Sequence, residues 1–208
     1  MSKMGAVLAF PSVCRDYTDN FSEWKQQHFR SLPDRMKSVM RRHERAWDKK
    51  LKQNMDTPLI EIVERSDEVH PGIYIGSYSA VLDENLEKYG IDVVVNMAIE
   101  CDYKLHPQNI CVQMVKVGIE DGRITNCGVF EKAAAVIADA RREGKVVLVH
   151  CAAGVSRSAT AVMTYLMLYE DYGWADALCY VQESRPCANP HPLLVRSLIR
   201  DLGSRFIA

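Results

Sequence analysis

No stretch of this chain is long and apolar enough to cross a membrane, so no membrane partner is expected. Internal repeats and low-complexity tracts are missing as well, which argues against solenoids and linker-like architectures. Cysteine is present but unpatterned: the seven are Cys14, Cys101, Cys111, Cys127, Cys151, Cys179 and Cys187, and none falls into CxxC or Cys/His spacing. An odd, unpatterned set speaks against a secreted disulfide scaffold and against a zinc site. Reduced intracellular thiols fit better, which places the protein in the cytoplasm, with the nucleus as the alternative. Strong net charge is lacking too, at -1 overall, and no nucleic-acid partner is expected. The apolar Met4–Phe10 follows Lys3 but is short and ends at Pro11, so a lightly packed N-terminus is expected there rather than a secretory signal.

The near-neutral total hides an asymmetry. Between Arg35 and Lys52 eight basic residues meet two acidic ones, a local charge of +6 that leaves -7 on the remainder. Ser31, Pro33 and Asp34 mark a helix start. Met36, Met40, His43, Trp47 and Leu51 then recur at helical spacing, giving one apolar stripe on a basic helix over 34–55. Residues 1–57 are accordingly read as an N-terminal helical extension and 58–208 as the main domain.

From Leu59 onward short Val- and Ile-rich runs alternate with helical patterns, which specifies an α/β layer fold. Strands are expected at Leu59–Val63, Ile73–Ile75, Asp92–Met97, Cys111–Val117 and Val146–His150. Helices are expected at Tyr78–Tyr89 and Val129–Arg142, ended by Gly90 and Gly144, then at Ser156–Tyr169, Trp174–Glu183 and Pro192–Leu202. This is a central twisted mixed sheet of about five strands flanked by helices. Ser156–Tyr169 is apolar nearly all round, so it should be a buried helix.

The chemistry concentrates between the last strand and that helix. Cys151 follows Val146–His150, and Arg157 stands six residues on, where the helix begins. Ala152, Ala153 and Gly154 have no bulk, so the backbone can curl and aim several N–H groups inward; Val155 and Ser156 complete the turn. The helix adds the positive end of its dipole, and the planar Arg157 fork can take two phosphate oxygens. The same surroundings favour an anionic sulfur at Cys151. Ser156 is in position to cap the helix.

His150–Cys151–Ala–Ala–Gly154–Val–Ser156–Arg157–Ser158 resembles the signature loop of cysteine-dependent protein phosphatases, in particular the dual-specificity group. Pro71–Gly76, Val93–Asn96, Ala177–Val181 and Ser184–Pro186 resemble other strands and turns of that family. One departure is plain: where the family shows a Pro–Asn…Gly–Phe pattern, this chain has Pro190–His191–Pro192–Leu193–Leu194. The resemblance implies an enzyme in which Arg157 and the loop amides of 152–157 bind phosphate, Cys151 attacks phosphorus, and Ser158 hydrogen-bonds the thiolate when it leaves. It also implies a general acid about thirty residues before the cysteine, where Gly118–Ile–Glu120–Asp121 stands; Asp121 is preferred and Glu120 is the alternative. His150 is expected to position the loop, and Asn96 resembles the family's loop-bracing asparagine. Neither metal nor cofactor is required.

Between Cys151 and Arg157 there is no lysine or histidine, which favours phosphoproteins over polyanionic substrates and, with a shallow pocket, dual specificity. Lys49, Lys50 and Lys52, followed by Ile60 and Ile62, invite a docking role toward a mitogen-activated kinase. Against it stands a solvated basic face whose Met40/Trp47 stripe packs on the chain itself or forms a homodimer. A non-catalytic phosphoprotein-binding module using the same loop is the alternative function.

Overall fold

The computed structural model describes residues 66–202, apart from 82, 104, 106–110 and 124–127. The basic helix over 34–55, the strand at Leu59–Val63 and the boundary at residue 57 lie outside the described residues.

The described chain runs β1 (Asp67–His70), β2 (Ile73–Gly76), a 3-10 turn (Tyr78–Val81), α1 (Asp83–Lys88), β3 (Val93–Ala98) and β4 (Gln113–Ile119). It continues through α2 (Gly128–Arg142), β5 (Val147–His150), α3 (Arg157–Tyr169), α4 (Trp174–Ser184) and α5 (Pro192–Leu202). The five strands form one sheet in the order β1-β2-β5-β3-β4. Only β1 and β2 pair antiparallel; β2 with β5, β5 with β3 and β3 with β4 are parallel, so the sheet is mixed.

All six residues of β3 and all four of β5 are buried, as central parallel strands covered on both faces require. Val94 and Leu148 meet Ala80, Val81, Leu86 and Ile91 on one face. α2 and α3 pack on each other and on the sheet. α3 is buried from Arg157 to Met167, and its two threonines avoid stranded hydroxyls by donating to the carbonyls four residues back: Thr160 to Ser156 O and Thr164 to Thr160 O, both at 2.8 Å. Among the described residues no helix is long and apolar enough to cross a membrane.

Two elements differ from the sequence expectation. β1 was not expected, because Val69 alone of its four residues is buried and the others are polar or charged. Pairing with β2 across the Pro71–Gly72 turn makes it an edge strand. The helix expected at Tyr78–Tyr89 is divided. Ser77 Oγ accepts the Ser79 N–H at 3.3 Å and tightens the first turn into 3-10 geometry before α1 begins.

The topology brings β5 into the middle of the sheet, so its C-terminal end, with Cys151 just beyond, opens between β2 and β3. Leu166 is fully buried in α3. Leu166→Ala is expected to cost about 2–5 kcal/mol, read as a lower urea midpoint with an unchanged slope. A cost below about 0.5 kcal/mol would show that this helix is not the core element described here.

Candidate active site

The turn from Cys151 to Ser156 is anchored from outside by its carbonyl oxygens. Ala152 O accepts the Tyr78 N–H at 3.0 Å, and Val155 O accepts the Asn189 N–H at 2.8 Å. Gly154 O accepts Arg185 Nε at 2.7 Å. In a trans peptide the N–H points opposite to the C=O, so carbonyls tied outward turn the next amides inward. The Gly154 N–H reaches Cys151 Sγ at 3.2 Å. Glycine is needed at 154: its φ is +67°, and an added Cβ would lie 2.5 Å from Gly76 O. The turn of Ala152, Ala153, Gly154, Val155 and Ser156 is therefore a cup with the Cys151 sulfur at its base.

Cys151 is buried, and Ser158 Oγ lies 3.3 Å from its sulfur, within reach of the role expected for that hydroxyl. His150 is buried behind the cup. Its Nδ1–H donates to Cys151 O at 3.2 Å, which leaves Nε2 to accept the Tyr103 hydroxyl at 2.6 Å. Burial, reinforced by the nearby Arg157 charge, pulls the His150 imidazole down to about 4, so it is neutral and serves to orient the loop.

Arg157 is 2% exposed, and Glu100 holds it bidentately: Nη1 donates to Oε2 at 2.7 Å and Nη2 to Oε1 at 2.5 Å. Nη1 also donates to Ile119 O at 3.0 Å. Burial opposes the guanidinium charge, but Glu100, with Cys151 and Asp121 nearby, outweighs it and pushes the pKa up. With the fork end engaged, the Nε edge is the one left for an anion, and Asp121 Oδ2 lies 3.5 Å from that Nε.

The two acid candidates are separated by geometry. Glu120 is half exposed and pairs with Arg123 at 2.6 Å. Asp121 turns toward the cup, where its Oδ1 accepts Ser156 Oγ–H at 3.1 Å and the Gly122 N–H at 3.0 Å. Burial raises the Asp121 pKa against the opposing pull of Arg157 and these hydrogen bonds, a direction suited to holding a proton.

One expectation needs correction. Ser156 precedes the first residue of α3, but its hydroxyl makes no capping hydrogen bond to that helix; its oxygen accepts the His191 N–H and its proton is directed to Asp121. Asn96, buried on β3 beside the strand that carries His150, braces the loop that follows its own strand. Its Nδ2 donates to Cys101 O at 2.8 Å and its Oδ1 accepts the Ala98 N–H at 2.9 Å, bracing the bend that carries Glu100.

Three functional side chains were not singled out from the sequence. Glu100 and Tyr103 follow β3 and give no local signal, since their contacts span 57 and 47 residues. Arg185, in the Ser184–Pro186 stretch, joins the cup to the edge strand: besides holding Gly154 O, its Nη1 donates to Asp67 Oδ2 at 2.8 Å. A buried arginine needs such a partner, and its fork makes it a rigid strut.

Comparison with known proteins matches residues 73–201 to the family model described as dual specificity phosphatase, catalytic domain. The human dual specificity protein phosphatase 22 is 34% identical over 134 residues, 64% of this chain and 71% of the relative. The Caenorhabditis elegans tyrosine-protein phosphatase vhp-1 is 34% identical over 129 residues, 59% of this chain, and the match spans only 19% of that longer protein. Among solved structures, a human tyrosine phosphatase-like serine/threonine/tyrosine-interacting protein aligns with a TM-score of 0.60 at 31% identity, covering 69% of this chain and 98% of that one.

A buried neutral His150 weakens the fold in acid. Unfolded histidine takes up a proton below about 6.5, whereas the folded residue does so only near 4, so stability falls as pH drops through that window. The difference between wild type and His150→Gln in urea unfolding is expected to change by up to about 3 kcal/mol between those pH values. Parallel stability profiles would show that His150 is not held neutral.

Proposed function

The chain belongs to the dual-specificity phosphatase family, and on that footing we propose that it is a protein phosphatase. It acts on phosphotyrosine and on phosphoserine or phosphothreonine through a phosphocysteine intermediate. The observation that carries this reading is the convergence on one cup of a buried thiol, a clamped guanidinium and an acid with a raised pKa.

The substrate phosphate seats on the inward amides and the Nε edge of Arg157. Cys151 sulfur attacks phosphorus, the S–P bond forms, and the P–O bond to the side chain breaks in line. Asp121 gives its proton to the departing oxygen, which matters most for the alkoxides of serine and threonine, poorer leaving groups than phenolate. Asp121, now ionised, takes a proton from water as the water oxygen attacks phosphorus; the P–S bond breaks and inorganic phosphate leaves. Ser158 hydrogen-bonds the sulfur as it regains its charge.

The unencumbered cup supports this choice of substrate class. Residues 152–156 carry no cationic side chain, so the site suits a single phosphate on a peptide better than a polyphosphorylated headgroup. The basic segment 34–55 is assigned first to packing on the chain or a second copy, with docking to a mitogen-activated kinase as the alternative.

A second reading is a phosphoprotein-binding module, because the structural neighbour named above is called phosphatase-like and interacting. Against it, this chain carries the thiol, the arginine and the acid together. Hydrolysis of an aryl phosphate in the presence of chelator, inhibited by vanadate, separates the two; binding of a phosphopeptide without turnover would favour the module. Cys151→Ser is expected to abolish turnover while retaining phosphopeptide binding. Asp121→Asn is expected to lower kcat by about 10²–10⁴-fold and flatten the basic limb of its pH profile, with Glu120→Gln close to wild type. The opposite ranking of the two carboxylates would move the acid to Glu120.

A further inference from the structure

The Ser156 hydroxyl stands between two partners of fixed polarity. The His191 backbone N–H can only donate, and it reaches Ser156 Oγ at 3.1 Å. An ionised Asp121 can only accept, and its Oδ1 lies 3.1 Å from the same oxygen. The Ser156 proton is thereby directed to Asp121. Oδ1 receives a second donor, the Gly122 N–H at 3.0 Å, which leaves Oδ2 as the oxygen on which a transferable proton can sit. Oδ2 is also the oxygen beside the Nε edge of Arg157, where a phosphate would seat.

This relay arises where the chain departs from the family pattern. In Pro190–His191–Pro192 the prolines have no N–H, so His191 supplies the only backbone donor of the tripeptide. Its ring is buried, and Nδ1 accepts the Leu193 N–H at 3.0 Å, tying the residue to the start of α5. The ring also lies against the acid loop: a Cβ on Gly122 would come within 2.9 Å of Nε2. One residue thus supports both the hydroxyl and the turn that present Asp121.

We propose that Ser156 is a positioning residue for the acid: held by the His191 amide, it occupies Asp121 Oδ1, confines the transferable proton to Oδ2, and sets the pH at which the acid loses that proton. This rests on the reading of Asp121 as general acid. The charged and titratable groups facing Asp121 are Arg157 from α3, Glu100 from the bend after β3, and His191 from the start of α5. Ser156 and Arg157 both favour the carboxylate, while Glu100 and burial disfavour it. Losing the hydroxyl therefore shifts the balance toward the protonated acid.

The test is the pH dependence of kcat for the full chain on an aryl phosphate, comparing wild type, Ser156→Ala, Ser156→Thr and Asp121→Asn. In Ser156→Ala the basic limb is expected to move to higher pH by about one unit, the size carried by one charge-assisted hydrogen bond. Ser156→Thr, which keeps the hydroxyl, returns the limb toward its wild-type position. Ser156→Cys, similar in size but a weak donor, is the second variant should the alanine loop fail to fold, and its limb moves in the same direction. A limb unmoved in these variants, with Asp121→Asn still flattening it, overturns the role of Ser156 alone. A limb that survives Asp121→Asn overturns the acid assignment instead.

Discussion

The site depends on where the carbonyl oxygens of residues 152, 154 and 155 are held. A turn of small residues can adopt many shapes, and the inward-facing amides exist only because donors outside the turn hold its oxygens away from the centre. Those donors come from three parts of the chain: the Tyr78 amide after β2, the Arg185 side chain after α4, and the Asn189 amide before α5. Each is a modest hydrogen bond, worth about 1 kcal/mol net, but together they determine the direction of the peptide dipoles. Such preorganised dipoles stabilise an anion without rearranging when it arrives.

The charged side chains build on that frame. Arg157 is almost fully buried, and a buried cation needs a partner; Glu100 meets the fork end and leaves the opposite edge toward the cup. Glu100 thereby fixes the guanidinium plane as well as compensating its charge. Asp121 sits on the edge of Arg157 that Glu100 does not occupy, so the two carboxylates flank one cation on different sides. The neutral His150, bridged to Tyr103, orients the strand end without adding a charge that would compete for the anion.

Much of this was readable from residue order, for definite reasons. The Val-rich β5, the small residues after Cys151 and the apolar helix after Arg157 are local patterns, and each describes its own conformation. Gly90 and Gly144 marked helix ends, and both have positive φ. What escaped depends on pairing between distant segments. Glu100 is an ordinary loop carboxylate until the adjacency of β3 and β5 brings it to Arg157, and β1 is a polar tetrapeptide until β2 gives it a partner. Ser156 stands where a helix cap would, but its oxygen accepts the His191 N–H while its proton points to the Asp121 carboxylate. Glu120 and Asp121 are adjacent candidates for the proposed acid, and the turn of the loop sends Glu120 to Arg123 and Asp121 to the cup.

The account is tested most directly by a crystal structure of the chain with bound vanadate. It should show vanadium bonded to Cys151 sulfur, its equatorial oxygens on the amides of the cup and the Nε edge of Arg157, and Glu100 still on the fork end. An oxyanion bound elsewhere, with the Cys151 sulfur bare and the carbonyls of 152, 154 and 155 turned inward, would contradict it.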